Sequence, residues 1–470
     1  SSDVCSSDLT DRTADQTRDN VLTNMQADVT EITDHSLRNL FVKIVTIFAG
    51  IAELLHYYID NAAREAQLDG ARLFSNVVKL SRAYDYRISS HQGAVVELSF
   101  TYSSDTTLTF PGATIPVGTI IQTDDGVRFR TEENLVFPSG SYSAITRKVS
   151  ARNVLVNTVS VGTSDGTANQ VFVMDEKVAG FSAKAIINAV TWDSVETLAY
   201  SLPTDNHFVQ SVNEDGKVTI TFGDGKYGAI PTNGANIDIK YDDTDGEVGN
   251  VAGQTITNIV SSLTPVTDYT VEVTNNSSAV GGRGIEPIED IKIGCTRSLR
   301  TVLRGVTEQD IIDLALLDPQ VSNAGVLHDC GKIINLYIVP LGGGLAPTAL
   351  QDQVEDFFDD KRIITYNIQV DSAGEVRIQA RIKAFARRGY DAAEVATEIN
   401  EAWEEFFNPV NQEFSGTVNI GDLYEIVEAV EGVDYSEITL LNTVPYARPV
   451  APTDIALDWD VETLPGSNTQ

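Results

Sequence analysis

The sequence predicts a multidomain α+β protein with an N-terminal long helix, central β-rich domains, a helical linker and a C-terminal α+β domain. Three observations support this prediction: the chain has 470 residues of which 42% are hydrophobic, an apolar stripe with helical spacing surrounds residue 45, and alternating, β-branched, turn-rich sequence begins at Gly93. A chain of this length folds around several cores rather than one.

The same patterns place the domain boundaries. We expect a polar lead-in at 1–33, an N-terminal helical region at 34–92, β-rich sequence at 93–280, a helical linker at 281–325, a C-terminal α+β domain at 326–445 and an extended tail at 446–470. An inserted subdomain at about 150–210 is left open. Residues 1–9, SSDVCSSDL, look like a translated sequencing-adapter remnant, so we expect that the native start is missing.

The long helix carries the first candidate site. Its apolar residues recur at three- and four-residue steps behind a predicted N-cap at Asp34, while Val42, Val45 and Ala49 widen the apolar face. The predicted helix-bundle interface is Leu37, Phe41, Ile44, Phe48, Ile51, Leu55 and Tyr58. The stripe fits either an intersubunit bundle or an ordinary buried core helix, and composition alone does not separate the two.

Further along the chain, the periodicity changes several times. Runs at 94–100, 107–110 and 218–222 indicate separate strands. Helical spacing from Ile288 to Leu303, and again behind an N-cap at Thr307, predicts two linker helices. In the C-terminal domain we expect strands at 363–370 and 376–386, and a helix at 392–407 that begins with a D-x-x-E capping box at Asp391.

The charge balance excludes two classes of partner. Thirty-three Lys and Arg against 67 Asp and Glu give a net charge of −34, which repels phosphate backbones and argues against nucleic-acid binding. The longest apolar run, Val42 to Leu55, is interrupted by Lys43, Thr46 and Glu53. We therefore expect no membrane span.

Motifs that suggest catalysis or metal binding do not fit their chemistry. Gly162 to Gly166, GTSDG, matches a nucleophile elbow, but another strand follows it rather than a helix, which favours a turn. The acidic run at 242–247 is out of register for a calcium loop. The five histidines lack zinc spacing, and Cys5, Cys295 and Cys330 form no CxxC pair. We expect a protein that is not an enzyme and has no cofactor or metal.

Basic residues are concentrated in one short stretch of this acidic chain. The predicted basic interface comprises Arg283, Lys292, Arg297, Arg300 and Arg304. These side chains either face an acidic partner surface or form intramolecular ion pairs on a solvated face, and the second interpretation is favoured.

An ordered set of short motifs resembles the baseplate J-like protein family. The most distinctive motif is TFGDGKYGAIP at 221–231, and Gly249-Asn250, Gly281-Gly282, Val306-Thr307 and motifs near 337–340, 389–391 and 421–424 follow it. The N-terminal helix, with Leu37-Arg38-Asn39-Leu40 and Tyr57-Tyr58, fits as well, so the resemblance covers roughly residues 34 to 445. The turn residues of the set are Gly223, Asp224, Gly225, Gly228, Pro231, Gly249 and Asn250. Asp224-Gly225 favours a tight hairpin, and Gly249-Asn250 favours a left-handed turn.

The resemblance implies a wedge subunit of a contractile-tail baseplate, in a tailed phage or a related injection system. Such a protein is structural, lies in the tail of the virion and is assembled in the host cytoplasm. The family's partners are further copies of the same chain and other wedge proteins, with a sheath-initiator-like protein and the hub expected as well; the ring they form rearranges on sheath contraction. The alternative is a β-rich surface or carbohydrate-binding protein, which shares the acidic, turn-rich composition.

Overall fold

A computed structural model describes residues 13–28, 40–328, 332–375, 379–408, 412, 414, 418–442, 450–451 and 464–465 of the chain. The chain divides into two compact units, Ser1–Asp85 and Tyr86–Gln470, and each is described by itself. Asp34 and Leu37 lie outside the described residues. The fold is α+β, with β-rich regions at the centre of the chain.

The first unit contains three described helices: α1 (Ala14–Asp28), α2 (Leu40–Glu65) and α3 (Phe74–Ala83). The sequence analysis did not predict α1, because its residues are polar and show little periodicity. Its signal is local: the Gln16 N–H donates to Thr13 Oγ1 and the Thr13 N–H donates to Gln16 Oε1, both at 3.3 Å, which forms a capping box. The Ala14 N–H donates to Glu53 Oε2 at 3.1 Å, so α1 begins beside the middle of α2.

The second unit begins with a six-stranded sheet. Its strands are β1 (Val95–Phe110), β3 (Ile120–Thr123), β4 (Arg128–Thr131), β6 (Gly140–Arg152), β14 (Ile256–Ile259) and β15 (Thr270–Asn275), in the order β14-β3-β4-β6-β1-β15. β2 (Ala113–Ile115) and β5 (Leu135–Phe137) form a separate pair. The prediction of two strands at 94–100 and 107–110 was wrong, because β1 continues through an irregularity between Ser103 and Leu108 while it pairs with β6.

A seven-stranded sheet follows, and its strands span Leu155 to Asp243. They are β7 (Leu155–Thr163), β8 (Val171–Met174), β9 (Lys184–Ile187), β10 (Val190–Val195), β11 (His207–Val212), β12 (Val218–Phe222) and β13 (Asn236–Asp243), in the order β7-β13-β9-β10-β11-β12-β8. Its core is aromatic: the Phe222 ring lies 5.3 Å from Trp192 and 5.9 Å from both Phe172 and Phe208. Gly162 and Thr163 are the last residues of β7, and Ser164 to Gly166 begin the connection to β8; a strand rather than a helix follows, so the turn interpretation is confirmed.

Two helices lead into the C-terminal region: α4 (Ile288–Thr301) and α5 (Glu308–Ala315). Thr307 caps α5 in a reciprocal capping box with Asp310, as predicted. The predicted extension of α4 to Leu303 was wrong, because Val302 and Leu303 adopt left-handed conformations, with φ of +47° and +53°, that end the helix.

The C-terminal region contains two β-sheets, each packed against helices. In the first, β16 (Val321–His328), β17 (Ile333–Pro340) and β18 (Asn367–Ser372) pack against α5 and α6 (Thr348–Phe358). In the second, β20 (Gln379–Ala386) and β21 (Val433–Asn442) pack against α7 (Ala392–Phe406) and α8 (Ile420–Ala429). The predicted strand at 363–370 was wrong in its start, because residues 363–366 form a turn closed by the Tyr366 N–H donating to the Ile363 carbonyl at 3.0 Å.

Two-residue strands complete the described elements. β19 (Gly374–Glu375) pairs in parallel with β22 (Val450–Ala451), and β20 pairs in parallel with β23 (Leu464–Pro465). Asp391 is the N-cap of α7, as predicted, since its side chain accepts from the Ala393 N–H at 2.9 Å. The predicted capping box with Glu394 was wrong, because the Asp391 side chain bonds to the second residue of the helix rather than to Glu394 in the third position. The start of the predicted strand at 376–386 falls at 376–378, outside the described residues.

Candidate assembly surfaces

Helix α2 buries one flank and exposes the rest of its apolar surface. Val42, Val45 and Ala49 are buried, at three- and four-residue steps along one face. The sequence analysis treated these three residues as a widening of the interface, whereas in the structure they form the inward-facing flank. The missed helix α1 contacts α2, and its absence from the prediction explains the error.

The predicted bundle residues lie on the exposed part of α2. Ile44, Phe48, Ile51, Leu55 and Tyr58 are 42 to 66% exposed. The same helix also exposes Leu40, Ile47, Leu54, Tyr57 and Ile59. Phe41 is part of the helix, and its side chain lies outside the described part of the structure. The described residues of the first unit therefore leave most of the apolar surface of this helix uncovered.

One helix of the described chain is long and apolar enough to cross a membrane by length and composition. It is the segment Val42–Glu65 of α2. Its most apolar stretch of 18 residues has a mean hydropathy of 1.5, and 11% of that stretch is buried. Lys43, Thr46 and Glu53 were expected to rule out a membrane span. The helix is nevertheless apolar enough in spite of these three residues. A single helix of this kind is weak support for a membrane span, because helices that pack against protein share the same composition.

The turn after β12 is organised by Asp224. The Asp224 Oδ1 atom accepts from the backbone N–H groups of Lys226 at 2.9 Å and Tyr227 at 2.7 Å. These two hydrogen bonds lower the pKa of the Asp224 carboxyl below its ordinary value, and the bond from the Tyr227 N–H has the larger effect. Gly225 and Gly228 close the turn through an N–H to carbonyl bond of 3.0 Å, and both have φ near +80°.

This turn does not form the tight hairpin that the sequence predicted. β12 pairs with β11 and β8, whereas β13, the next strand in the chain, pairs with β7 and β9. The loop therefore carries the chain across the sheet. Pro231 lies in this loop, where its carbonyl accepts from Ser164 Oγ at 2.9 Å and ties the loop to the turn after β7.

Gly249 and Asn250 fix a second crossing of the chain. The Asn250 side chain accepts from the Gly282 N–H at 2.8 Å and donates to the Gly282 carbonyl at 2.7 Å. A Cβ on Gly249 would lie 2.7 Å from Asn153 Oδ1, so this position requires glycine. The predicted left-handed turn at Gly249-Asn250 was wrong: Asn250 has φ of −78°, and the left-handed residue of this segment is Gly246.

Asn153, which was not singled out from the sequence, links the six-stranded sheet to the segment that follows β13 of the seven-stranded sheet. It is buried, and its Nδ2 atom donates to the Arg128 carbonyl at 2.7 Å and to Asp245 Oδ2 at 3.0 Å. Its Oδ1 atom accepts from Thr244 Oγ1 at 3.2 Å and from the Asp245 N–H at 3.1 Å. One side chain therefore fixes the end of β6 against the segment after β13.

Gln320 makes a similar connection to the C-terminal region. Its Nε2 atom donates to the carbonyls of Gly93 at 3.0 Å and Gly281 at 3.1 Å, and its Oε1 atom accepts from Arg152 Nη1 at 3.0 Å. Arg152 also donates to Gln353 Oε1 on α6 at 3.0 Å. The six-stranded sheet is thus joined to the C-terminal region by buried polar groups with specific geometry.

The predicted basic residues are largely engaged within the chain. Arg283 pairs with Asp290 at 2.5 Å, Lys292 pairs with Glu289 at 3.3 Å, and Arg300 pairs with Asp313. Arg297 donates to the Leu316 carbonyl at 3.5 Å, and burial lowers its pKa. Arg304 is exposed. This arrangement favours the interpretation as intramolecular ion pairs.

The described residues include no group of three or more His, Cys, Asp and Glu side chains placed to hold a metal. Burial raises the pKa of the Cys295 thiol to about 12, so this cysteine is a protonated core residue and a poor nucleophile.

Buried Glu286, which accepts from Tyr86 Oη at 2.6 Å and from the Ser89 N–H at 3.0 Å, holds the start of the second unit against the segment before α4.

The chain has distant likenesses among solved structures. The chain is similar to a chain of the six-fold symmetrised cryo-EM structure of the anti-feeding prophage (AFP) baseplate, with 10% sequence identity, coverage of 93% of this chain and 90% of that chain, and a TM-score of 0.31. These values are too low to support an argument about function. No family model matches the chain, and no curated protein matches it.

Proposed function

We propose that the chain is a structural wedge subunit of a contractile-tail baseplate, in a phage or a phage-derived injection system. The observation that carries the proposal is the exposed apolar surface of α2, which a protein that acts alone in water would bury. The ordered motifs from residue 34 to 445 support the same assignment by their resemblance to baseplate J-like proteins. In the structure, the motif residues at 223–231 and 249–250 build turns and chain crossings.

On this proposal, α2 joins further copies of the chain and other wedge proteins through a helix bundle. Ile44, Phe48, Ile51, Leu55 and Tyr58 supply the contact, and burying them in the bundle provides the free energy of association. A sheath-initiator-like protein and the hub are further proposed partners. The protein has no enzyme activity of its own and resides in the tail baseplate after assembly in the host cytoplasm.

The test is self-association of the full chain, measured by sedimentation velocity over a range of concentrations. Phe48→Asp combined with Leu55→Asp places two charges on the exposed stripe of α2, and we expect the oligomer to dissociate at least tenfold more readily. The control is Ile364→Asp combined with Tyr200→Asp, which changes two residues that are 96% and 91% exposed in the second unit. The control variant should associate like the unmodified chain.

Two outcomes contradict the proposal. The helix bundle is ruled out if the α2 variant self-associates like the unmodified chain and still co-purifies with the products of the neighbouring genes. Flotation of the unmodified chain with lipid vesicles, abolished by the α2 substitutions, makes α2 a membrane contact instead.

A further inference from the structure

Helix α4 ends in a turn whose two central residues have positive φ. Val302 has φ of +47° and Leu303 has φ of +53°, and the Arg304 N–H donates to the Thr301 carbonyl at 3.0 Å. Two successive residues with positive φ inside a four-residue turn are the pattern of a type I′ turn. Such turns strongly favour Asn and Gly, because Gly lacks the Cβ atom that crowds the carbonyl oxygen at positive φ and Asn tolerates this conformation. Val and Leu are therefore strained in this turn.

The side chains of Val302 and Leu303 contribute little packing among the described residues. They are 68% and 41% exposed. The turn between β9 and β10 is of the same kind, and it has the favoured Asn at its first central position, Asn188. Strained backbone of this sort is retained in proteins mainly where function requires it. Neither turn geometry nor packing among the described residues accounts for a Val-Leu pair at the end of α4.

The turn lies within a larger exposed apolar patch. Gly305 forms a parallel bridge with Arg362, and its N–H donates to the Lys361 carbonyl at 3.0 Å, so the segment after α6 lies beside the turn. Both segments expose apolar side chains among the described residues. The α4-end patch comprises Leu299, Val302, Leu303, Val306, Ile363 and Ile364. Six such residues on two bridged segments form a contiguous feature rather than single scattered side chains.

The charge beside the α4-end patch is positive. Arg300 pairs with Asp313, whose carboxylate is buried, whereas the Arg300 side chain is 55% exposed, so solvent meets the guanidinium. Arg304 is exposed. No Asp or Glu occurs between residues 291 and 307. The two basic residues after α6 are each paired with a neighbouring aspartate and add no net charge. The local charge therefore complements an acidic surface.

We propose that the α4-end patch is the docking surface for an acidic segment of a different protein. Apolar side chains of that segment cover Val302 and Leu303, and its carboxylates meet Arg300 and Arg304, which is the combination of apolar and Arg contacts that protein interfaces favour. A two-fold contact of the patch with its own copy is disfavoured, because it would bring the arginines of both copies together. The strained turn holds the two apolar side chains outward, where the partner reaches them.

The test uses the products of the neighbouring genes, purified and titrated one at a time against the full chain. Only this choice of probes rests on the proposed function. Val302→Asn combined with Leu303→Gly gives the turn its favoured residues and removes both apolar side chains. We expect two opposite effects: the urea midpoint of the second unit rises, and the affinity for an acidic product falls at least tenfold. Tryptophan emission follows the midpoint, since Trp192 and Trp403 belong to the second unit.

Two matched controls separate strain from binding. Ala189→Gly relieves a positive φ in the turn between β9 and β10, so it should raise the urea midpoint and leave the affinity unchanged. Arg304→Glu should weaken binding and reduce its dependence on salt, because it removes a charge that meets the partner. Arg388→Glu makes the same charge change at an exposed arginine elsewhere in the second unit and should alter neither property.

Several results overturn the proposal. The double variant of the turn might be expected to bind an acidic product as tightly as the unmodified chain only if the patch is not the docking surface. A lower urea midpoint makes Val302 and Leu303 part of the packed structure, and binding of no acidic product by the unmodified chain removes the partner. Loss of concentration-dependent self-association in the double variant assigns the patch to a second copy, and loss of flotation with anionic lipid vesicles assigns it to lipid.

The two proposals fail separately, because the α4-end patch lies in the second unit and α2 lies in the first. A product that binds through α2 is lost in the Phe48→Asp and Leu55→Asp variant and retained by the double variant of the turn. A product that docks on the α4-end patch shows the reverse.

Discussion

The seven-stranded sheet and helix α2 use apolar residues in opposite ways. In the sheet, Phe208 and Phe222 are fully buried and contact other aromatic rings, so the core is complete within the chain. In α2, Phe48 is 66% exposed although the helix is 26 residues long and strongly apolar. The difference shows that the sheet buries its aromatic core within the chain, whereas the described residues of the first unit leave most of the apolar face of α2 uncovered.

The largest expected effect contrasts these two regions directly. Phe222→Ala removes a ring that packs against Trp192, Phe172 and Phe208, and it should lower the free energy of unfolding by about 3–5 kcal/mol. Phe48→Ala in α2 should change it by less than about 0.5 kcal/mol, because little area is buried there. Urea denaturation measures both: tryptophan emission follows the second unit, where Trp192 lies 5.3 Å from Phe222, and far-UV circular dichroism follows the helices of the first unit. Similar losses for the two variants would mean that Phe48 is buried within the chain.

A smaller effect tests the hydrogen bonds by which Asn153 connects the six-stranded sheet with the segment after β13 of the seven-stranded sheet. Asn153→Ala leaves the Arg128 carbonyl and the Asp245 N–H without a buried partner, and it should cost about 1–3 kcal/mol. Asn157→Ala is the control, because Asn157 makes one exposed hydrogen bond of 3.0 Å to Asp243. If the two variants denature at the same urea concentration, water satisfies the groups around Asn153 and the connection contributes little.

The sequence predicted best where periodicity was strong and local. The helical stripe of α2, the capped start of α5 and the turn at Gly162 to Gly166 all follow from short-range patterns, and the structure has each of them. Helix α1 was missed because its residues are polar, although the Thr13 and Gln16 capping box is readable in the sequence. The left-handed end of α4 was missed because Val302 and Leu303 are residues that rarely adopt positive φ.

Long-range pairing accounts for the other differences. Whether Asp224-Gly225 closes a hairpin depends on which strands lie beside β12, and no local signal specifies that choice. Asn153 and Gln320 are single polar residues in otherwise ordinary stretches, so their role appears only when distant segments come together.

The smallest expected effect concerns pH and buried Glu286. Burial raises the pKa of this carboxyl above its ordinary value; the hydrogen bonds from Tyr86 and Ser89 and the charge of Arg283 oppose the rise, and Asp290 adds to it. Between the ordinary pKa of glutamate, about 4.3, and the raised value, the folded chain holds a proton that the unfolded chain has lost. The free energy of unfolding therefore falls as pH rises through this interval.

Glu286→Gln removes this titration, so the melting temperature should depend less on pH from about pH 4.3 upwards. Glu289→Gln, a substitution of an exposed carboxylate at the start of α4, should leave the dependence in place. A steeper fall with rising pH in Glu286→Gln would contradict the assignment. A fall unchanged from the unmodified chain would place its origin elsewhere, with Asp318 as the next group to test, since desolvation raises the pKa of this carboxyl in the same direction.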